Sequence, residues 1–224
     1  MLRKLTEEKL VEILETGIAE FAEKGLDRAN INVIAQKAGI SVGVLYKYYK
    51  DKEAFFLACL RRSLDVLESV LHDVTAGEDK LLVRAEKMIR AVQHYSKEYG
   101  NYINLYNEIT SGSSKKYAPL LAAEIESMTA KTYSGFIERA IESGDIRDDI
   151  HPRLFAFFFD NLLTTLQFSY CCDYYRERAK IYCGEDILED DEKVVSELIK
   201  FLESAFTFRQ SEVVHKRIGD TPAE

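Results

Sequence analysis

Residues 34 to 55 run I-A-Q-K-A-G-I-S-V-G-V-L-Y-K-Y-Y-K-D-K-E-A-F, from Ile34 to Phe55. Two brief helical stretches meet there at a glycine. Asn30 can cap the first, which carries Ile34, Ala35 and Ala38 on one face and stops at Gly39, a residue that enters the left-handed region without a Cβ penalty. Ser41 can cap the second, Val42 to Tyr49, which is short and aromatic. Asp51 then offers the N-cap of a long helix from Lys52 towards Val74. Two short helices crossing steeply over a tight turn form a helix-turn-helix, whose second helix can enter the major groove of DNA. Ala35, Ala38, Gly39, Ile40 and Leu45 provide the small and apolar positions that such a crossing needs.

Outward from this stretch the chain keeps a helical period. Leu10, Ile13, Leu14, Gly17, Ile18, Phe21 and Ala22 follow the i, i+3, i+4, i+7 rule, with Thr6 as N-cap, Glu7 and Glu8 in the first turn and Gly25 as the stop. Beyond the Ala76-Gly77 break, helices are expected at 79 to 98, 101 to 109, 117 to 143, 152 to 182 and 191 to 208. The acidic segment from Cys183 to Asp191 is a loop before the last helix, and the chain from Gln210 onward is expected to be loose. Pro119, Pro152 and Pro222 are the only prolines, which favours helices over sheets.

Composition narrows the function classes. Of 224 residues, 46% are hydrophobic and 11% aromatic, ample for a real core. The net charge of -8 speaks superficially against nucleic acid, but residues 1 to 60 hold nine Lys/Arg and nine Asp/Glu, so the acidity lies after residue 60. Residues 36 to 52 are locally basic, with Lys37, Lys47, Lys50 and Lys52 against Asp51 alone, as phosphate contact requires. The longest apolar run, Leu154 to Phe159, is far short of a membrane span, and neither a transmembrane helix nor a cleavable signal peptide is expected. Cys59, Cys171, Cys172 and Cys183 show no C-x-x-C spacing, which fits a reducing cytoplasm. His72, His94, His151 and His215 are scattered and no nucleophile elbow, zinc motif or phosphate loop occurs, so no enzyme, metal site or cofactor is expected.

The stretch from Ile34 to Phe55 resembles the DNA-binding signature of the TetR/AcrR repressor family. The similarity extends back through Phe21-Ala22-Glu23-Lys24-Gly25 and, weakly, forward to Ser143-Gly144-Asp145-Ile146-Arg147, about a quarter of the chain in all. It implies an all-α fold: an N-terminal three-helix helix-turn-helix domain, then a larger helical ligand-binding and dimerisation domain whose last two long helices form the dimer interface. The boundaries expected are 1–51 for the DNA-binding domain, 52–209 for the effector-binding and dimerisation domain and 210–224 for a loose tail. The function implied is a cytoplasmic transcriptional regulator, a repressor that grips double-stranded palindromic operator DNA as a homodimer and is released by a small lipophilic or aromatic effector.

Carried over onto this sequence, Tyr46, Tyr48 and Lys52 match positions at which the family contacts phosphates. Lys52 also starts a helix whose N-terminal dipole favours an anion. Tyr49 stands at a core position. Base reading falls to Asn32, Val42, Gly43, Val44 and Lys47, with the capping residues Asn30 and Ser41 counted on the same DNA-binding face. Family members often carry polar side chains where Val42 and Val44 stand and Thr or Ser where Asn30 stands. The two valines remove hydrogen-bonding groups, which shifts specificity towards thymine methyl contact and DNA shape. Those valines and the acidic balance keep open an alternative, a helical protein-interaction module that has lost sequence-specific DNA binding.

In the larger part, Tyr95, Tyr99, Tyr102 and Tyr106 recur at i, i+4, i+7 and i+11, and Phe155, Phe157, Phe158, Phe159 and Phe168 populate a helix apolar nearly all round. Any one of these aromatics can serve as core or dimer contact. Together they suggest an aromatic-lined effector pocket built from Tyr95, Tyr99, Tyr102, Tyr106, Asn107, Phe136, Phe159 and Gln167, with Asn104, Glu108, Asp160 and Asn161 as further polar anchors. A lipophilic cation would suit such a cavity, and an acyl or aromatic ligand is equally allowed. Cys171 and Cys172 are neighbours that a helix points about 100° apart, more suited to packing than to thiol sensing. Val194, Val195, Leu198, Ile199, Leu202, Ala205 and Phe206 form a wide apolar stripe on the last helix, which a symmetry mate would cover.

Overall fold

The computed structural model describes residues 5–77, 80–111 and 117–207; the expected tail, 210–224, lies outside the described residues. The fold is all-α, and the described residues contain no strand. Three helices form an N-terminal head: α1 (Glu7–Arg28), α2 (Ile31–Lys37) and α3 (Val42–Tyr48). Seven follow: α4 (Lys52–Thr75), α5 (Leu81–Glu98), α6 (Gly100–Ser111), α7 (Ala118–Glu142), α8 (Pro152–Cys171), α9 (Asp173–Cys183) and α10 (Asp191–Thr207).

Each helix of the head starts on a capping side chain. Thr6 accepts from the Lys9 amide, Asn30 from Asn32, Ser41 from Val44 and Asp51 from Ala54, so four otherwise orphaned backbone donors are satisfied locally. Between α2 and α3 the turn closes on Gly39 at φ 61, with the Ile40 amide donating to the Ala35 carbonyl at 2.9 Å and the Gly39 amide to Gln36 at 3.1 Å. Gly25, at φ 70, interrupts α1, but the chain makes one further helical turn to Arg28 before leaving it. Buried Glu20 ties the head together: it accepts from the Asn30 amide at 3.2 Å and pairs with Lys37 at 3.5 Å.

Two apolar cores follow one another along the molecule. In the first, Ile13, Ile18 and Phe21 of α1 and Ile34 and Leu45 of α2 and α3 pack on Phe55, Phe56 and Cys59 of α4 and on Leu105 and Ile109 of α6. Gly17 lets α1 and α4 touch, since a Cβ there would lie 2.5 Å from the Phe55 ring. The second joins Met88 and Ile89 of α5, Tyr133 and Ile137 of α7, Phe159 and Leu163 of α8 and Leu202 and Phe206 of α10. Arg84 is buried between them, its guanidinium donating to the carbonyls of Thr75 (2.6 Å) and Gly77 (2.9 Å) and lying 4.2 Å over the Phe136 ring. The head therefore has no core of its own. It is completed by the first turns of α4 and by α6.

Two sequence expectations are corrected. The single helix expected over 152–182 breaks at Cys172, which takes φ -100 and ψ 126. The two thiols are anchored apart there, Cys171 to the Ser96 carbonyl (3.2 Å) and Cys172 to Asn104 (3.3 Å), while Arg176 reaches back to cap the Tyr170 carbonyl (2.8 Å). These are tertiary contacts, and no proline or glycine marks the break. On α10, Val195, Leu202 and Phe206 of the expected stripe are buried in the chain's own core, and the exposed large side chain is Phe201 instead.

Candidate DNA-binding face and internal cavity

On α3, Tyr46 and Lys47 are exposed, and Gly43 faces open space: a Cβ there would meet nothing nearer than the Ser41 hydroxyl at 3.9 Å. Asn30, Asn32 and Ser41 are also exposed, with Asn30 and Ser41 engaged as caps. Val44 is half-buried; Val42 is half-buried too and packs against the first core, so only part of its side chain is free. Tyr48 accepts a hydrogen bond from the Leu5 amide at 2.8 Å, which joins α3 to the chain entering α1. Lys52 donates to the Asp27 carbonyl at 2.9 Å and keeps two further donors at the N-terminus of α4. Tyr49 is half-buried, its ring tilted against that of Phe55 of α4 at 4.8 Å.

A cavity of about 110 Å³ lies between α4, α6, α7 and α8. Leu60, Leu64 and Leu67 of α4 and Ile109 of α6 make its apolar wall; Tyr102, Tyr106, Glu126, Thr129, Tyr133, Asp160 and Gln167 supply its polar atoms. Three residues of the expected pocket, Tyr102, Tyr106 and Gln167, do line it. Tyr95, Tyr99, Asn107, Phe136 and Phe159 do not. Tyr95 and Tyr99 stack on each other at 5.8 Å, both half-buried. Phe136 lies under Arg84, and Phe159 packs edge-on behind Tyr133 at 5.3 Å. The run of tyrosines misleads because it crosses a helix boundary: Tyr99 leaves the helical region (φ -117, ψ 39) between α5 and α6, so Tyr102 and Tyr106 do not continue the face of Tyr95.

Glu126, Thr129 and Tyr133, all on α7, are cavity residues that the sequence did not single out. They carry no signal of their own, since polar residues spaced along a helix look like a solvated face. Tyr106 donates to Glu126 at 2.8 Å; burial, and then the charge of Glu126, pushes its phenol up. Burial, followed by the charge of Glu126, pushes the Asp160 carboxyl up to about 6, with Thr129 offsetting part of the effect.

The cavity also touches the head. Tyr102 lines it with its ring and donates its hydroxyl to both carboxylate oxygens of Glu15 on α1, at 2.5 and 2.7 Å. Arg62 of α4 holds the same carboxylate at 3.1 Å. Burial, and then Glu15, pushes the Tyr102 phenol up, so it stays a donor. Nearby, a Cβ on Gly25 would lie 2.5 Å from a Glu108 carboxylate oxygen, so α1 and α6 approach as closely as glycine permits. Among the described residues no helix is long and apolar enough to cross a membrane, and no group of three or more His, Cys, Asp or Glu is placed to hold a metal.

A three-helix head with an exposed α3, followed by a helical domain built round a cavity, defines a helix-turn-helix regulator with a body fused to its DNA reader. Residues 13–59 match the family described as bacterial regulatory proteins, tetR family. The chain is 21% identical over 148 residues to a fatty acid metabolism regulator protein of Bacillus subtilis, covering 65% of this chain and 75% of that one. It superposes on the ketosteroid transcriptional regulator KstR2 of Mycobacterium tuberculosis with a TM-score of 0.65, at 21% identity, over 92% of this chain and 98% of the other. On the transcriptional regulator FadR from Bacillus subtilis, solved in complex with stearoyl-CoA, the TM-score is 0.64 at 16% identity, over 85% and 97%. Residues 13–59 thus carry the DNA-binding domain of the TetR family, and the chain as a whole has the fold of that family's solved regulators.

Proposed function

We propose that the protein is a repressor that holds a palindromic operator as a homodimer and releases it when a small effector enters the cavity between α4, α6, α7 and α8. The observation that carries this is Tyr102, which shares its ring with the cavity and its hydroxyl with Glu15 of the head. A ligand that displaces Tyr102 perturbs α1 through one side chain. The cavity volume, about 110 Å³, is below the several hundred Å³ typical of sites for drug-sized ligands. An effector of that size must part the walls, and two of them, α4 and α6, hold α1. Different affinity for the contracted and the parted states is all that the switch requires.

On the DNA side, Tyr46, Tyr48 and Lys52 grip phosphates, and Asn32, Val42, Gly43, Val44 and Lys47 face base edges, with Asn30 and Ser41 holding the two helices in place. Gly43 supports this: a glycine in a helix weakens it, by about 0.5–1 kcal/mol at mid-helix, and no atom of the described residues requires one there. Close approach of DNA does. For the dimer, Leu154, Phe157 and Phe158 of α8 and Phe201 of α10 are exposed, Phe157 by 61%. Apolar rings in such number on two neighbouring helices fit a twofold mate, which would place two α3 helices about 34 Å apart, one DNA turn.

The test is fluorescence anisotropy with the DNA upstream of the protein's own gene and with fragments recovered from a random-sequence selection. Salt-sensitive, sequence-selective binding is expected, and Lys52→Ala should weaken it on every sequence while flattening the salt slope by about one. Absence of selective binding to both DNA sources refutes the repressor assignment in favour of an interaction module.

A further inference from the structure

The polarity of the cavity is one-signed. Glu126 and Asp160 line it, and among the described residues no lysine, arginine or histidine does. Glu126 accepts from the Tyr106 hydroxyl, but neither carboxylate has an ion-pair partner among the described residues. Beside them stands Tyr133, only 6% exposed, whose hydroxyl makes no hydrogen bond to any described residue. Burial pushes that phenol up, and so do the charges of Asp160 and Glu126, which places it in the field of both carboxylates.

Two neighbouring carboxylates and an unpartnered phenol, in a cavity whose other polar groups among the described residues are all uncharged, form an unfinished arrangement. Like charges in each other's field raise each other's energy, and a hydroxyl that opens into the cavity without a partner on the described chain leaves its oxygen for a ligand to engage. A ligand bearing a carboxylate or phosphate would add a third negative charge. A ligand bearing N–H⁺ groups would neutralise the pair and donate to all three residues, and the tyrosine ring faces would attract the same charge.

We infer that the cavity is a site for a small organic ammonium ion, whose charged nitrogen sits between Asp160 and Glu126 and whose hydrocarbon part lies against Leu60, Leu64 and Ile109. This deepens, and rests on, the assignment of the cavity as the effector site. It separates this chain from the relative solved with stearoyl-CoA, a ligand of the opposite charge. Size sets a second condition. The cavity holds about 110 Å³, less than the apolar cavity of about 150 Å³ that admits benzene, so a cation of one ring with a short amine enters only by parting the walls, as release of the DNA requires. Glu126, Thr129 and Asp160 also border the outer groove between α7 and α8, whose walls carry Lys131, Arg139 and Arg153. The two carboxylates thus stand on the wall that the cavity and the outer groove share.

The experiment is isothermal titration of the full chain with three probes of one shape and three charges: benzylammonium, benzyl alcohol and benzoate. Stearoyl-CoA serves as a fourth probe. Wild type is expected to bind benzylammonium about tenfold or more tighter than benzyl alcohol, and benzoate not measurably. Asp160→Asn and Glu126→Gln, which preserve shape, should each reduce the affinity for benzylammonium about tenfold while leaving benzyl alcohol within about twofold. Circular dichroism confirms that both variants are folded. Benzoate or stearoyl-CoA binding as tightly as benzylammonium overturns the assignment; so does a cation preference that survives in the double variant, or binding of no probe at all. Selective DNA binding is measured separately on the unliganded wild type. Its absence refutes the regulator assignment and leaves the calorimetric result on the cation standing, so the two failures are told apart.

Discussion

Replacing Asp160 with asparagine is expected to make the unliganded protein more stable at neutral pH, although it removes a side chain that the cavity uses. Burial first, and the charge of Glu126 second, raise the carboxyl from its ordinary 3.8 to about 6. A carboxyl whose pKa is higher folded than unfolded favours folding where both states are protonated, below about pH 4. That contribution is lost as pH rises through about 6, because the folded state must then hold a charge it resists. Each tenfold change in proton affinity is worth about 1.4 kcal/mol, so the full penalty above pH 7 is at most about 3 kcal/mol. Asp160 is half-buried and also borders the outer groove, where water screens it, which reduces the expected value to about 1–2 kcal/mol.

Asparagine keeps the shape and has no charge to bury. Urea unfolding followed by circular dichroism, at one protein concentration because dimerisation enters the equilibrium, should show no difference between wild type and Asp160→Asn at pH 4. At pH 7.5 the variant should be more stable by about 1–2 kcal/mol, or about 2–6 °C in a thermal melt of a chain this long. The other titratable groups near Asp160 are Glu126 and Tyr133 of α7, Tyr106 of α6, and Lys131, Arg139 and Arg153 along the outer groove, and both proteins carry all of them, so the difference curve reports on position 160. A variant less stable than wild type at pH 7.5, or a difference that does not change with pH, would show that the charge is already compensated. The argument for a waiting cation site would then fail with it.

Three further outcomes follow from the same geometry. Tyr102→Phe keeps the ring in the cavity and removes the hydroxyl held by Glu15; effector affinity measured by calorimetry should change little, while the effector-induced loss of DNA binding in an anisotropy titration should shrink severalfold. Gly43→Ala should raise stability by up to about 1 kcal/mol in urea unfolding, since among the described residues the added methyl meets only the Ser41 hydroxyl, at 3.9 Å, and should weaken operator binding at least about tenfold if DNA approaches that face. Phe157→Glu should shift the protein from dimer to monomer in analytical ultracentrifugation while leaving its helical circular dichroism intact, because the ring is exposed within the chain.

What the sequence revealed, and what it concealed, divide by the range of the interactions. Asn30, Ser41 and Asp51 could be assigned as caps from single positions because each bonds a backbone amide two or three residues away. The small residues around Gly39 likewise announce a tight turn without knowledge of anything distant. The break at Cys172 is invisible by the same logic: its causes are Ser96, Asn104 and Arg176, and two of these are some seventy residues away. The cavity was partly legible. Tyr102, Tyr106 and Gln167 could be nominated from residue type, and Asp160 as a polar neighbour. Glu126 and Tyr133 could not, because only the packing of α7 against α8 turns an ordinary polar face inward.

The same division bears on how the switch can work. The head has no separate core: Phe55, Phe56 and Cys59 of α4 and Leu105 and Ile109 of α6 complete it. A close-packed interior does not deform gradually, so a ligand that parts α4 from α6 cannot leave the seat of α1 unchanged. The polar contacts at that seam are few and specific. Tyr102 and Arg62, from two different walls of the cavity, converge on the one carboxylate of Glu15. Parting the walls forces that carboxylate to follow one partner and lose the other, which is a choice between two arrangements and not a continuum. The carboxylates assigned to the ligand's charge, Glu126 and Asp160, stand on α7 and α8, whereas this seam joins α4 and α6 to α1. Recognition and response are therefore carried by different side chains. Substitutions at Asp160 and at Tyr102 should accordingly combine additively in ligand affinity, and only Tyr102 should change how much DNA binding each bound ligand removes.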